Sequence, residues 1–348
     1  MLSTQRAERL FYITGKSTFD RTYAVKAVSS HCLITFLLLL LTAEVQAPDF
    51  TYTNTNGTIT ITGYTGPGGN VAIPSTINGL PVTSIGDQAF WFNCANLTGI
   101  TIPDSVTNIG RFAFGNCSSL VALTIGNGVT TIGLGAFNVC HSLTNVTIPD
   151  SVLNLEDGYY TVGGGGAFYY CTSLTNVIIG NSVTNIGDSA FWFCTSLTNI
   201  TIPRSVLRIG AHAFESCAGL EGVYFKGNAP SAGSMGFDQN NVFGNDTKPT
   251  AYYLPGTSGW GSTFAGIPAI LWNPLTQTND TSFGVRQNRF GFNITGTPDI
   301  PIVVEASASL AAQPWVPLQS STLTNGLIYF SDPQWTNYPG RFYRIRSP

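Results

Sequence analysis

Apolar positions recur at fixed spacing through the middle of the chain. In the copy that starts at residue 197, Ile200 and Ile202 lie two residues apart, so both point to the same side of a short strand. Pro203 cannot donate a hydrogen bond to a sheet ladder and should end that strand, and residues 206–209 follow as a second extended piece. Leucines mark the start of each copy, 23 residues apart with one interval of 31, at 97, 120, 143, 174, 197 and 220.

Each copy also carries an Ala-Phe pair and a cysteine, which predict a short helical turn. The pairs begin at 89, 113, 136, 167, 190 and 213, and the cysteines stand at 94, 117, 140, 171, 194 and 217. One coil cannot bury this apolar side alone, but stacked coils can. The sequence therefore predicts a repeat stack of six or seven coils, right-handed by the crossover rule for parallel strands. Its first coil is irregular, with one added residue before Cys94.

The pattern I-x-I-P-x-S-V-T-x-I-G-x-x-A-F-x-x-C, which runs through residues 71–225, resembles the BspA-like class of leucine-rich repeats. That resemblance implies a mainly β protein with a right-handed leucine-rich-repeat solenoid. It also implies an exported, surface-displayed binding protein, often an adhesin, of bacteria and some protists. The resemblance does not specify a ligand.

Residues 1–47 are predicted to be a signal peptide. Leu33–Leu41 is an apolar core too short to span a membrane, and Ala47 or Ala43 offers a cleavage site. An uncleaved membrane anchor is the alternative. Residues 48–70 alternate polar and apolar side chains around Asn56-Gly57, and they predict a hairpin that caps the first coil.

The composition changes after the repeats. Residues 226–272 are dense in aromatic residues, Gly and Pro, and they predict a C-terminal cap of the solenoid. Residues 273–281 are polar and suit a linker. Residues 282–348 contain short β-prone runs, which predict a small antiparallel β-sandwich for display or anchoring. This region has no cysteine, so its core is expected to suffice unaided.

The charged residues, the histidines and the glycine run argue against several classes of partner and cofactor. Without residues 1–47 the chain keeps ten basic and 15 acidic residues, a net charge of −5. No basic stripe is present to neutralise phosphates, so nucleic acid is not an expected partner. His141 and His212 lie three coils apart, too far to share a metal ion. Gly163–Gly166 lacks the Lys and Ser/Thr of a phosphate-binding loop, so this glycine run is interpreted as flexibility at an insertion. We expect no metal, no cofactor and no transmembrane span in the mature chain.

The cysteines share one repeat position. Their side chains should run parallel along the stack, which favours a ladder of buried thiols, with disulfides as the alternative. No Cys-x-x-Cys pair supports a zinc site.

Catalysis has one candidate pair. Asp104 and Asp150 occupy the same turn position two coils apart, or about 10 Å by coil rise, near the carboxyl separation of inverting glycosidases. Aspartate is also a residue that turns select. We expect the chain not to be an enzyme.

Two surfaces are candidates for ligand binding. The first surrounds an eight-residue insertion, 156–163, because insertions in repeat proteins map to one face and often carry binding residues. Its aromatic residues, and those of the next coil, are Tyr159, Tyr160, Tyr169, Tyr170, Trp192 and Phe193. The second is the outward side of the strands, where uncharged columns include Asn145, Thr147, Asn199 and Thr201.

The sequence thus favours a secreted or cell-surface bacterial protein that binds a protein partner through the solenoid surface. A glycan-binding module is the first alternative. A polysaccharide hydrolase that uses Asp104 and Asp150 is the second.

Overall fold

The computed structural model describes residues 49–158, 165–233, 241–245, 249–309, 314–338 and 340–348. In these ranges the regular elements are strands and two 3₁₀ helices, Thr324–Gly326 and Trp335–Asn337. The predicted signal peptide and the candidate residues Tyr159 and Tyr160 lie outside the described residues. The described residues all belong to one unit.

The strands are numbered in chain order. Those that open the structure are β1 (Phe50–Thr55), β2 (Thr58–Tyr64), β3 (Gly69–Ala72), β4 (Thr76–Ile77) and β5 (Leu80–Ile85). Those of the repeats are β6 (Leu97–Thr101), β7 (Asn108–Ile109), β8 (Ala122–Thr124), β9 (Thr131–Ile132), β10 (Asn145–Thr147), β11 (Asn154–Leu155), β12 (Asn176–Ile178), β13 (Asn185–Ile186), β14 (Asn199–Ile202), β15 (Arg208–Ile209) and β16 (Gly222–Phe225). The last are β17 (Ser231–Ala232), β18 (Thr250–Tyr253), β19 (Thr263–Phe264), β20 (Ile267–Leu271), β21 (Leu275–Thr276), β22 (Gly284–Arg286), β23 (Arg289–Thr295), β24 (Pro301–Ser307), β25 (Val316–Thr322), β26 (Leu327–Asp332) and β27 (Phe342–Arg346).

Each repeat contributes one strand to each of two parallel stacks. The shorter strands form one continuous ladder, β5-β7-β9-β11-β13-β15-β17. The other strands form three parallel sets, β3-β6-β8, β10-β12 and β14-β16-β18-β20. The strand β14 ends at Ile202, directly before Pro203. The mainly β repeat fold expected from the sequence is confirmed.

The Ala-Phe segments form single hydrogen-bonded turns, not the short helical turns that the sequence predicted. The amide of Ala113 donates to the carbonyl of Gly110 at 3.3 Å, which closes one turn. The amide of Phe114 then donates to Ala136 of the next coil at 2.8 Å. Because this donor is used between coils, the turn cannot continue as a helix. The same bond between coils recurs along the stack, so the turns form a third ladder.

One phenylalanine from each coil fills the interior. The phenylalanines of the six Ala-Phe pairs are fully buried, and adjacent ring centroids lie 4.5 to 5.4 Å apart. Tyr64 stacks on the first ring at 5.2 Å, and Phe243 lies 5.7 Å from the last. The ring column therefore extends past residue 225 into the segment that the sequence presented as a cap.

The first cysteine pair departs from the predicted ladder of free thiols. Cys94 and Cys117 form a disulfide, with their Cα atoms 5.1 Å apart. Three residues separate Phe90 from Cys94, whereas two separate Phe114 from Cys117. The added residue moves Cys94 along its turn, so its side chain meets the thiol of the next coil.

The other cysteines are free and buried, as predicted, at 140, 171, 194 and 217. Each thiol donates to the carbonyl of the phenylalanine in the preceding coil, at 3.1 to 3.4 Å. Burial raises the pKa of Cys140 and of Cys194. The thiols of Cys140 and Cys194 are therefore neutral packing groups and not nucleophiles.

The hairpin predicted around Asn56-Gly57 is present as β1 and β2, and β2 pairs in parallel with β5. At the other end of the chain, two antiparallel sheets follow the repeats. The first has the order β21-β23-β22, and β26 also pairs with β23. The second has the order β25-β24-β27. Residues 273–281, expected to be a linker, include β21, which pairs with residues 294 and 295 of β23.

The core of these C-terminal sheets does not stand alone. Phe292 and Phe330 of one sheet and Ile302 of the other belong to the same buried cluster as Tyr224 and Tyr252 of the repeats. The expectation of an unaided core is therefore wrong. The reason is visible in the strand register, because Thr201 aligns with Tyr224 and then with Tyr252. Large outward rings replace threonine where the C-terminal sheets pack on the solenoid.

Phe168→Ala tests the ring column. We expect a loss of about 3–5 kcal/mol in the free energy of unfolding, because the substitution leaves a cavity between two fixed rings. Phe92→Ala is the matched control, since Phe92 is 80% exposed and its loss should change stability by less than about 0.5 kcal/mol. Urea unfolding followed by circular dichroism measures both. Equal effects of the two substitutions would contradict the buried column.

Alkylation followed by mass spectrometry tests the cysteine assignment. Without reductant, the native protein should leave all four free thiols unlabelled, and unfolding should expose four labelling sites from residue 48 onward. The double variant Cys94→Ser/Cys117→Ser should lose about 2–4 kcal/mol of stability. Six labelled cysteines in the unfolded, unreduced chain would show that the disulfide is absent.

Candidate functional site

Four rings from two adjacent coils lie in contact on the turn side of the solenoid. We call Tyr169, Tyr170, Trp192 and Phe193 the aromatic cluster. The ring centroids of Tyr169 and Trp192 are 5.2 Å apart, and those of Tyr170 and Phe193 are 4.8 Å apart. All four side chains are partly exposed. The structure therefore brings together the four predicted site residues that it describes on this side.

The repeat itself positions these rings. Each aromatic pair directly follows an Ala-Phe pair, whose backbone is fixed by the hydrogen bonds between coils. Tyr170 and Phe193 have left-handed backbones, with φ of 61° and 62°. Val139 has φ of 59° at the same repeat position, so this conformation belongs to the turn and is not strain peculiar to the cluster. The backbone therefore presents the rings in a fixed orientation.

Two glycines that follow the insertion fit beneath this surface. A Cβ on Gly165 would lie 2.1 Å from Cγ of Tyr169, and a Cβ on Gly166 would lie 2.5 Å from the backbone of Ala190. Both glycines are buried. The run 163–166 was predicted to be flexible, but at Gly165 and Gly166 close packing explains why glycine is present. Gly163 and Gly164 lie outside the described residues.

The two histidines flank the cluster, a relation that the sequence did not show. The ring of His141 lies 5.7 Å from that of Tyr170, and the ring of His212 lies 5.9 Å from that of Trp192. His212 and Glu215 are buried, and Nδ1 of the imidazole contacts Oε2 of the carboxylate. Nδ2 of Asn245 donates to the other oxygen of Glu215 at 2.9 Å. This polar group supports the cluster from the side of the last coils.

An arginine holds the start of the insertion. Arg208 contacts Asp157 at 2.7 Å and Asp188 at 2.5 Å, so one guanidinium joins three coils. These contacts raise the pKa of Arg208 although burial opposes the shift. The amide of Gly158 donates to the carbonyl of Asp188 at 2.8 Å. The insertion therefore begins from a fixed point.

A second aromatic group, which was not predicted from the sequence, lies on the turn side. Trp91 and Phe112 meet edge to face, with centroids 5.4 Å apart, and Phe92 beside them is 80% exposed. Nδ2 of Asn93 donates to the carbonyl of Tyr64 at 2.8 Å, which holds the added residue of the first coil. The position of Trp91 and Phe92 directly after an Ala-Phe pair is the signal that would have found them.

The strand-side candidates fall into separate sheets. Asn145 and Thr147 lie on β10, whereas Asn199 and Thr201 lie on β14, and no ladder joins β12 to β14 among the described strands. Asn199 and Thr201 line a groove of about 410 Å³ that Asn145 and Thr147 do not reach. The two pairs therefore belong to different sheets, and of the four residues only Asn199 and Thr201 line the groove.

The aspartates considered for catalysis cap the turns of the next coil. Oδ1 of Asp104 accepts the amide of Asn127 at 2.6 Å, and Oδ1 of Asp150 accepts the amide of Asn181 at 2.7 Å. These bonds satisfy backbone donors between coils and explain why aspartate stands there. Within the described ranges, no cluster of three His, Cys, Asp or Glu side chains could hold a metal ion. The same ranges contain no helix of the length and apolarity that a membrane crossing requires.

Comparison with known proteins identifies the repeats. A family profile described as the BspA type leucine rich repeat region matches residues 83–164 and 161–247, in six copies. No curated protein matches the chain.

Three solved structures are similar to it. A leucine rich repeat protein of T. pallidum is 28% identical, with 61% of this chain and 86% of that chain covered and a TM-score of 0.39. A leucine-rich repeat protein of Bacteroides ovatus is 24% identical, with 59% and 70% covered and a TM-score of 0.36. A leucine rich cell surface protein of Faecalibacterium prausnitzii is 25% identical, with 62% and 76% covered and a TM-score of 0.32.

Gly165→Ala tests whether glycine packing positions the cluster. The added Cβ would overlap Tyr169 at its Cγ, so we expect the ring to move and stability to fall by about 1–3 kcal/mol. Burial raises the pKa of Tyr169, and its displacement into solvent should lower that pKa again. Ultraviolet titration of tyrosine measures this change. Gly261→Ala is the control, because its nearest atom would lie at 3.7 Å. An unchanged titration in the Gly165 variant would contradict the packing.

Proposed function

The repeat region of this chain belongs to the BspA-type leucine-rich repeat family, and from that premise we propose that the chain is an exported, non-enzymatic protein that binds a protein partner. The aromatic cluster is the contact surface. The observation that carries the proposal is the mutual packing of four partly exposed rings beside the insertion. Tyr, Trp and Phe are the residues enriched at the centres of protein interfaces, where charged residues are depleted. None of the four residues of the cluster is charged.

Preorganisation supports the same proposal. The amide of Phe168 donates to Ala190 at 2.8 Å and that of Tyr170 donates to Trp192 at 2.8 Å, so the two turns of the cluster are tied directly together. Rings held in advance lose little conformational entropy when a partner binds. The cluster therefore meets a basic requirement of an interface hot spot.

The ring orientations favour a protein over a glycan at this surface. The planes of Tyr169 and Trp192 are inclined by 55°, and those of Tyr170 and Phe193 by 45°. A sugar ring stacks on one open flat face, whereas these rings cover parts of one another. The side chains of a protein partner fit such an uneven apolar surface better than a flat sugar ring does.

Export has independent support. Leu33–Leu41 has the length and apolarity of a signal-peptide core. The disulfide between Cys94 and Cys117 suits an oxidising compartment, because disulfides persist outside the cytosol and are rare within it. Both features agree with a secreted or cell-surface location. For Asp104 and Asp150, the role in capping the turns argues against a hydrolase.

Tyr170→Ala/Phe193→Ala tests the proposed surface. The purified chain should bind at least one member of a panel of extracellular-matrix and cell-surface proteins, measured by biolayer interferometry, with a glycan array assayed in parallel. The double substitution should weaken protein binding about 30-fold or more, as loss of a hot spot does. Val139→Ala should have no effect, because it changes the same repeat position in a coil without aromatic pairs.

Three outcomes would contradict the proposal. They are binding to glycans with no binding to proteins, protein binding that survives the double substitution, and equal loss in the Val139 control. A further variant, Tyr159→Ala/Tyr160→Ala, reports whether the insertion takes part.

A further inference from the structure

The groove on the strand side coincides with a break between two ladders. The strand β12 ends the set β10-β12, and β14 begins the next set, so the two strands adjoin without pairing in the described sheets. Asn176 and Ile178 of β12 line one side, and Asn199 and Thr201 of β14 line the other. The volume of about 410 Å³ lies within the range of small-molecule sites in proteins.

Six residues of the lining have uncharged hydrogen-bonding side chains. They are the amides and hydroxyls of Thr175, Asn176, Asn181, Thr198, Asn199 and Thr201. An asparagine side chain both donates and accepts, and so does a threonine hydroxyl, which matches a ligand rich in hydroxyl groups. Ile178 is 53% exposed and adds an apolar surface on which the C–H face of a sugar ring can rest.

Lys226 is the one charged side chain that lines the groove, and Pro348, the last residue of the sequence, lines it as well. Lys226 is exposed and is the sole lysine of the described residues. None of the ion pairs found among those residues includes it. Apart from residues 1–47 the chain carries a net charge of −5, so a lysine without an acidic partner is an unusual local feature. Its ammonium can pair with the carboxylate of a ligand.

The opposite end of the same strand is acidic. Glu221 precedes β16 and Lys226 follows it, so their Cα atoms lie about 16 Å apart by strand rise. Glu221 lines an adjoining cavity of about 230 Å³ that shares Asn199 with the groove. The order along the surface is therefore carboxylate, amides and ammonium. The ammonium of Lys226 attracts a ligand carboxylate at one end, and the carboxylate of Glu221 can accept hydrogen bonds from ligand hydroxyls at the other.

We propose that this groove binds an acidic sugar of a polysaccharide, with the sugar carboxylate at Lys226 and its hydroxyls at Asn176 and Asn199. The residues belong to the strand side of the solenoid, and none of them is part of the aromatic cluster. The proposal therefore stands independently of the protein-binding function of the turns.

Calorimetry on the full chain tests the site. The probes are trisaccharides of galacturonate, mannuronate and guluronate, each compared with its methyl ester, which keeps the ring and removes the charge. At least one uronate should bind, its ester should bind about tenfold more weakly, and higher salt should weaken the uronate alone. Lys226→Met should reproduce the effect of the ester, and Lys226→Arg should retain binding.

The repeat supplies a matched control. Asn199→Ala should weaken binding several-fold, while Asn145→Ala should not, because Asn145 has the same repeat position outside the groove. The proposal is overturned if no uronate binds, if ester and acid bind equally, if both asparagine variants behave alike, or if an acidic peptide binds as well as the sugars. The double variant Tyr170→Ala/Phe193→Ala should leave uronate binding unchanged, which separates this site from the proposed protein interface.

Discussion

The stacking of one phenylalanine ring per coil is the contact on which the rest of this structure depends. Ring centroids 4.5 to 5.4 Å apart match the spacing of paired strands, so the rings and the backbone ladders can be satisfied together. The strands of a single coil are two to five residues long and would not be stable alone. Neighbouring coils make each strand, turn and ring part of one interior.

Because the interior is set by so few positions, the outward positions are free to vary. On the turn side, the residues after the Ala-Phe pair range from glycine and asparagine to tyrosine and tryptophan on the same backbone. On the strand side, a threonine column changes to tyrosine at Tyr224 and Tyr252, where the C-terminal sheets pack. The stack thus presents one surface to its own C-terminal region and leaves the other surfaces exposed.

The sequence predicted the features that periodic burial controls. The strand ending before Pro203, the buried Phe168 and the thiols of the later coils all follow from spacing, because a repeated environment selects a repeated residue. The aromatic residues of two successive coils were also predicted to lie together, since their repeat positions are equal.

Other features could not be predicted from the sequence, because they depend on three-dimensional geometry that the spacing of residues does not specify. One added residue before Cys94 turned a parallel thiol into a disulfide partner. The glycine run that contains Gly165 was predicted to be flexible, but Gly165 makes room for the ring of Tyr169, four residues away in sequence. The groove at Asn199 lies where two ladders do not join, and neither the Asn column nor the Thr column, which Ile178 interrupts, indicates that break in the sequence.

Hydrogen exchange of the native chain tests most directly whether the coils form one continuous stack across the insertion. The amides of Phe137, Phe168 and Phe191 each donate to the next coil at 2.8 Å, on both sides of residues 156–163. If the interior is continuous, these three amides should be protected by similar free energies, within about 1 kcal/mol, and should be lost together as denaturant rises. Exchange at Phe137 that is a hundredfold faster than at Phe191, with separate denaturant dependence, would show two independent halves and contradict the account.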